Sequence, residues 1–192
     1  MASALLPPFA FRLSPCYYGG PGTFSSAVHI VIEISERIDV AAAPRTVWDV
    51  LSDPRSVVDC VPGAELGQQQ EDGSYDATLT VKFGPAKVAF RTKVALELDE
   101  ATMSGRVSSR GRDNQGGTRV KTTMTFKVVP GAAPGTAAVP VDAQVEISGK
   151  LASLVESGAN LVVKHMTKEF AERLAAKLGG PEGESRKAKG ES

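Results

Sequence analysis

Residues 153–178 read SLVESGANLVVKHMTKEFAERLAAKL, a stretch without proline. Apolar and small residues recur in it at helical spacing, at Leu154, Gly158, Leu161, Val162, Met166, Phe170, Leu174 and Leu178, with His165 in the same series. The stretch therefore predicts one long amphipathic helix near the C-terminus. It decides the fold because the chain before it, residues 30–147, reads as short alternating strands, and a single helix can cover only one face of their sheet.

The strands are predicted from the alternation of apolar and polar residues. A first strand is expected over residues 30–40, and five more over 75–83, 88–98, 103–109, 120–128 and 141–147. Turns are expected at Gly84-Pro85 and over 113–117, and a Gly/Ala/Pro loop over 130–140. The predicted fold class is α+β, with a curved antiparallel sheet of about six or seven strands wrapped around the long helix.

Two short helices are predicted between the first strand and the rest of the sheet. Ala42-Ala43-Pro44 opens the first helix, since proline is tolerated in a first helical turn, and Asp53-Pro54 ends it. The second helix covers about residues 54–60 and stops at Val61-Pro62-Gly63, where proline and glycine force a sharp turn.

The composition excludes several classes of protein. The chain has 22 basic and 22 acidic residues and no net charge, so we expect no nucleic-acid partner, which usually requires a basic excess. No apolar run approaches the roughly 18 residues of a membrane span. The two cysteines, Cys16 and Cys60, lie far apart, and this usage favours a reduced cytoplasmic protein over a disulfide.

The two ends of the chain differ from the domain between them, which we place at residues 29–178. Residues 1–28 contain many prolines and glycines without periodicity and no basic residue before Arg12, so we predict a disordered leader rather than a signal peptide. A valine codon can serve as a bacterial start, which makes Val28 an alternative first residue. Residues 179–192 are rich in Gly, Glu and Lys and are predicted to be a disordered tail.

The sequence contains no recognisable catalytic or metal-binding set. The only histidines are His29 and His165, and His165 is interpreted either as a packed or rim residue of the helix or as a hydrogen-bond donor to a ligand. Two scattered histidines and two scattered cysteines do not form a zinc motif, and no phosphate-binding loop follows a strand. Cys60, before a turn, is predicted to be a small buried hydrophobe rather than a reactive thiol. The sequence thus favours a binding protein over an enzyme.

Small or mildly polar residues occupy the inward positions of the middle strands, namely Thr92, Gly105, Ser109 and Thr122. Two explanations remain open: the helix approaches the sheet closely at these positions, or a volume between them stays unfilled. A packed core needs bulky side chains to reach native density. We therefore favour a cavity between the sheet and the long helix.

Five segments of the domain read as motifs. They are AAPRTVW at 42–48, DP at 53–54 followed by DCVPGAE at 59–65, GPAKVAF at 84–90, GGTRV at 116–120 and GKLA at 149–152. The segment 53–65 is the most specific of them. Together, over about residues 30–178, they resemble the family of the carbon monoxide dehydrogenase G subunit, within the START-like (SRPBCC) superfamily. This resemblance implies the helix-grip fold.

The resemblance also implies a function. Members of this family are encoded beside molybdenum-containing carbon monoxide dehydrogenases and related hydroxylases, as accessory rather than catalytic proteins. It implies a non-enzymatic protein without a covalent cofactor that binds a hydrophobic small molecule, with a respiratory quinone as the favoured ligand. The implied partners are molybdenum hydroxylase subunits and, transiently, the membrane surface, and the implied location is cytoplasmic, peripheral at the inner face of the membrane.

The predicted ligand site lies between the sheet and the long helix. Apolar burial stabilises by about 0.8 kcal/mol per CH₂, so an isoprenoid tail needs few polar contacts. Trp48 and His165 are predicted to direct N–H groups at a quinone carbonyl, and the turn formed by Cys60, Pro62 and Gly63 is predicted to act as a gate. The predicted lining residues are Trp48, Val61, Leu79, Val81, Phe83, Phe90, Val94, Val107, Met124, Phe126, Leu161, His165 and Met166.

Two alternative functions remain open. An aromatase- or cyclase-like enzyme on the same fold would need polar groups inside the cavity, and its candidates are Glu36, Tyr75, Arg106 and His165, although Arg106 falls in the outward register. A protein-docking maturation factor of a molybdenum hydroxylase would have only an incidental cavity.

Overall fold

The computed structural model of the protein describes residues 29–83 and 86–179, with all their side chains except those of residues 83, 86, 153–157 and 160. The elements in chain order are β1 His29–Val40, α1 Pro44–Leu51, α2 Pro54–Val58, β2 Ala64–Gln69, β3 Tyr75–Phe83, β4 Ala86–Asp99, β5 Ser104–Asp113, β6 Thr118–Lys127, β7 Val129–Pro130, β8 Ala137–Gly149 and α3 Ala152–Gly179. The predicted α+β class is confirmed. The predicted leader, the 84–85 turn and residues 180–192 lie outside the described residues.

The strands form one eight-stranded sheet in the order β1-β8-β6-β5-β4-β3-β2, with β7 paired to β8 alone. All pairs are antiparallel, so each strand presents one face toward α3 and one away from it. The helix makes its main contacts with β1, β3 and β8. It therefore joins the two ends of the sheet, which is the predicted helix-grip arrangement.

Three predictions of local structure need correction. β2 was not predicted because Ala64 and Leu66 are its only apolar inward residues and a bulge interrupts its pairing with β3. β7 was not predicted either, and the start of β8 was placed too late. Ala137 and Ala138 are fully buried strand residues, although alanine gives a weak strand signal. Gly179, which we assigned to the tail, is the last residue of α3.

Two buried clusters fix α3 to the sheet. The Trp48 cluster surrounds the C-terminal half of the helix and contains Ile38, Val40, Val47, Trp48, Leu51, Cys60, Val128, Ala137, Val139 and Leu174. The Ile32 cluster surrounds its N-terminal half and contains Ile30, Ile32, Ile147, Ala152 and Ala159. The small Ala152 and Ala159 let the helix approach β1, and the fully buried Leu174 anchors its other end.

The GGTRV motif joins the β5–β6 turn to the start of α3. Thr118 is fully buried, its N–H donates to Asp113 Oδ1 at 2.9 Å, and its Oγ1 accepts from the N–H of Leu151 at 3.1 Å. Gly149 has φ +117°, and a Cβ there would collide with the carbonyl oxygen of Gly117. These bonds satisfy backbone groups at the entry to the helix and set its direction.

Candidate functional site

The candidate site is the inner face of the central strands. Strand register groups its side chains into rows that cross β4, β5, β6 and β8. These rows are Thr92–Gly111–Val120–Ile147, Val94–Ser109–Thr122–Val145, Leu96–Val107–Met124–Ala143 and Leu98–Gly105–Phe126–Val141. The small residues predicted to face inward therefore lie beside apolar neighbours on the same face.

The central part of this inner face is packed less tightly than its ends. Val94, Val107 and Met124 are half-buried and belong to neither buried cluster, whereas Ile30, Ile32 and Val139 are buried. The main contacts of α3 are to β1, β3 and β8 rather than to β4, β5 and β6. An apolar surface on the central strands thus lies outside the packing that holds the helix.

Most predicted lining residues lie on or next to this inner face. The strand residues Leu79, Val81, Phe90, Val94, Val107, Met124 and Phe126 share the inward register of β3 to β6. Val61 is half-buried in the turn after α2, and Met166 is half-buried on α3. The side chain of Phe83 lies outside the described residues.

Trp48 packs at the end of the inner face. Its side chain is 2% exposed, and its ring centroid lies 6.2 Å from that of Phe126, at a tilt of 36°. α1 begins at Pro44, with extended Ala43 as its N-cap, and its buried residues Val47, Trp48 and Leu51 point into the Trp48 cluster. The predicted bond from the indole N–H to a quinone carbonyl stays a prediction.

Leu161 and His165 do not reach the inner face, so the prediction that they line it is wrong. Leu161 is 76% exposed, and it lies about 200° around the helix from the buried Ala159. The His165 side chain is 75% exposed and its Nε2 lies 3.3 Å from Glu169 Oε2. The periodicity misled because apolar residues of α3 occur on both sides of the helix, and only the side of Ala159 and Leu174 meets the sheet.

The predicted gate is a turn bonded to β3. Gly63 has φ +72°, accepts a hydrogen bond from the N–H of Thr80 at 2.8 Å, and has no room for a Cβ beside the Thr80 carbonyl. Cys60 is buried in the Trp48 cluster, as predicted, and burial raises the pKa of its thiol. Gating by this turn stays a prediction, and it would require Gly63 to separate from Thr80.

α2 and its following turn are fixed at both ends. The carboxylate of Asp53 caps α2 by accepting from the N–H groups of Arg55 and Ser56, each at 3.2 Å, and the hydrogen bond to Ser56 is the largest of the effects that lower its pKa. At the other end, Asp59 Oδ2 lies 2.8 Å from Lys177 Nζ on α3. The DP and DCVPG motifs thus act as a structural clamp beside the inner face.

The polar residues of the enzyme alternative do not converge. Glu36 and Tyr75 are half-buried in the inward register, but Arg106 is exposed on the outer face opposite Glu97 and His165 is exposed on α3. Within residues 29–83 and 86–179, no three His, Cys, Asp or Glu side chains come together as a metal site would require.

The pattern of the outer face was not predicted from the sequence. Two grooves lie there, one of about 530 Å³ beside Glu65, Asp76, Arg91, Lys93 and Arg110, and one of about 460 Å³ beside Glu97, Asp99, Arg106, Lys127 and Asp142. The available signal was the repeated spacing of two between basic residues in three strands, at Arg91/Lys93, Arg110/Arg112 and Arg119/Lys121.

Solved structures share this fold. A conserved protein from Geobacillus kaustophilus is 18% identical, with a TM-score of 0.66 over 76% of this chain and 94% of that one. The ZhuI aromatase/cyclase from Streptomyces sp. R1128 is 13% identical, with a TM-score of 0.58 over 80% and 98% of the two chains. A START superfamily protein from Mycobacterium smegmatis is 22% identical, with a TM-score of 0.50 over 74% and 96%. At these identities the likeness extends to the fold alone.

No curated protein matches this chain. Among the described residues, no helix combines the length and the apolar composition needed to cross a bilayer. The family described as the carbon monoxide dehydrogenase G subunit (CoxG) matches residues 37–179. The chain therefore belongs to the CoxG family of carbon monoxide dehydrogenase subunits, within the START-like helix-grip superfamily.

Proposed function

We propose that this protein binds a hydrophobic ligand, a quinone or a lipid, on the inner face of its sheet and acts as a non-enzymatic accessory protein of a carbon monoxide dehydrogenase or related molybdenum hydroxylase. The observation that carries the proposal is the group formed by Val94, Val107 and Met124, which are apolar, half-buried and outside both buried clusters. Membership in the CoxG family supports the accessory role.

The chemistry of the inner face suits a long apolar tail. Apolar and small side chains alternate along its rows, and Ser109 and Thr122 are their mildly polar members beside Val94. Each CH₂ group transferred from water to this face would contribute about 0.8 kcal/mol, so several isoprene units suffice without an ion pair or a metal. Transient contact with the membrane surface would give the protein access to such a ligand and deliver it near the partner enzyme.

Fluorescence of the single tryptophan can test ligand binding. Trp48 is buried and its ring packs beside Phe126, a member of an inner-face row. A ubiquinone analogue with one isoprene unit should quench this fluorescence in a saturable manner if it binds nearby. Absence of saturable quenching and of any quinone or lipid uptake by the delipidated protein would contradict the proposal.

Two serines of β5 offer a matched pair of variants. Ser109 faces inward between Val94 and Thr122, whereas Ser108 faces outward. Ser109→Phe should fill part of the proposed cavity and weaken quinone binding while the protein stays folded, and Ser108→Phe should leave binding unchanged. If the inner face is instead closely packed, Ser109→Phe would destabilise the fold by about 1–3 kcal/mol through overpacking.

Native mass spectrometry of the protein purified from its own host, followed by organic extraction, addresses the cargo and the partner. A stoichiometric quinone or other lipid would identify the cargo. An empty protein that carries hydroxylase subunits would favour the docking alternative over the carrier function.

A further inference from the structure

Basic side chains collect on one part of the outer face, although the chain has no net charge. Strand register places Arg91 opposite Arg112, and Arg112 opposite Arg119. The neighbouring row consists of Lys93, Arg110 and Lys121. We call these six residues the basic rows. With strands about 4.8 Å apart and alternate residues about 7 Å apart, their backbone positions fall within roughly 10 by 7 Å.

The charge of the basic rows is only partly neutralised within the protein. Lys93 Nζ lies 2.8 Å from Asp72 Oδ2, and Lys121 Nζ lies 2.7 Å from Glu146 Oε1. The four arginines are exposed and form no ion pair with the acidic residues of the described part of the chain. Like charges directly opposite one another destabilise a sheet. The arrangement therefore costs stability without serving the fold.

The rest of the outer face is not organised in this way. The next row along the strands is uncharged and consists of Ala95, Ser108, Thr123 and Gln144, and the row after it contains both signs, in Glu97, Arg106, Thr125 and Asp142. The positive charge is thus concentrated at the end of the sheet that holds the β5–β6 turn.

We propose that the basic rows and the adjoining groove dock an acidic segment of a partner protein. Arg91, Lys93 and Arg110 line one side of this groove of about 530 Å³, and its position lets a bound chain contact both rows. Guanidinium groups present forked donors that match carboxylates with two parallel hydrogen bonds. Several carboxylates close together in one segment would therefore neutralise the arginines that the fold leaves without partners.

Acidic residues at the borders of the basic rows favour a protein over a membrane or a nucleic acid. Asp72 and Asp76 lie at the β3 side, and Glu146 lies at the β8 side. A uniformly anionic surface would be pressed against these carboxylates. A protein partner can place cations opposite them, and such complementary patterns set orientation and specificity at interfaces.

The docking surface and the ligand site lie on opposite faces of the sheet, so each can be tested alone. The proposed test uses fluorescence anisotropy of a short labelled polyglutamate peptide at low ionic strength. The row variant is Arg91→Gln/Arg112→Gln/Arg119→Gln. The control variant, Arg55→Gln/Arg106→Gln/Lys127→Gln, removes the same charge from exposed positions outside the rows.

We expect the native protein to bind the peptide, the row variant to bind it roughly ten-fold more weakly, and the control to change little, since each exposed charge contact contributes modestly. Increasing salt should weaken the binding. No peptide binding, or an equal loss in both variants, would overturn the proposed site. Tighter binding to phosphatidylglycerol vesicles or to duplex DNA than to the peptide would overturn the proposed class of partner. Quinone quenching of Trp48 in the row variant provides the check that its inner face remains intact.

Discussion

Adjacent residues of β4 belong to two chemically different surfaces. Phe90 and Val94 face inward, toward apolar rows and α3, while Arg91 and Lys93 face outward into the basic rows. The two-residue period of a strand makes both surfaces from one segment. On the inner face polarity is low and polar groups are hydrogen-bonded, whereas on the outer face four arginines are left without acidic partners in the described chain. Each face is therefore specialised beyond what folding requires.

The largest difference between the faces should appear at Phe90 and Arg91. Phe90 is 5% exposed, so Phe90→Ala should lower the free energy of unfolding by about 3–5 kcal/mol through lost burial and a new cavity. Arg91→Ala should change it by no more than about 0.5 kcal/mol. Urea unfolding measures both. Similar losses at the two positions would show that the faces are not energetically distinct.

A second pair compares a hydrogen-bonded inward threonine with an outward one. Thr118→Val removes the acceptor of the Leu151 N–H at the start of α3, and the buried N–H left without a partner should cost about 1–3 kcal/mol. Thr123→Val, on the uncharged outer row, should cost less than about 0.5 kcal/mol. Hydrogen exchange at the first turn of α3 should accelerate only in Thr118→Val. Unchanged exchange there would mean that the motif does not hold the helix.

How much of this could be predicted from sequence depends on whether a feature is local. The alternation from Ile30 to Val40, the Asp53 cap and the Gly63 turn are encoded by neighbouring residues, and the structure reproduces them. Leu161 was misplaced because a helix with apolar residues on two sides does not reveal which side meets the sheet. β2 was missed because its apolar pattern is short and interrupted.

The basic rows needed information that no single segment contains. Arg91, Arg112 and Arg119 come from three strands, and they become neighbours only through the strand order and the register. A shift of one residue in the β4–β5 register would place Arg91 opposite an inward residue and dissolve the row. The same holds for the inner face, where Val94, Ser109 and Thr122 meet through pairing alone. Sequence therefore predicted which side each residue faces but not which residues meet.

A smaller effect, with the opposite sign, is expected within the outer face. Arg112 lies opposite Arg91 and Arg119, so Arg112→Gln should stabilise the protein by roughly 0.2–1 kcal/mol. Arg106, on the same strand and face, lies opposite Glu97, and Arg106→Gln should not stabilise it. The gain should shrink at high salt, which screens exposed charges. If both variants shift the urea midpoint in the same direction, the basic rows carry no repulsion of their own.

The smallest effect concerns the one corner of the rows that is neutralised by a turn residue. The ion pair with Lys93, followed by hydrogen bonds from Ser74, holds the pKa of Asp72 well below its ordinary value of 3.8. A lowered folded-state pKa means that this stabilisation is present above the unfolded pKa and is lost as the pH falls below about 4.

Lys93→Gln should therefore raise the pKa of Asp72, followed by the NMR titration of its carboxyl carbon, and should flatten the loss of stability in acid. Lys87→Gln, on the same strand and outward side, is the matched control and should leave the titration where it is. If Asp72 titrated alike in both variants, the ion pair would be ineffective, and Lys93 would have to be counted with the arginines as a cation that the fold leaves free.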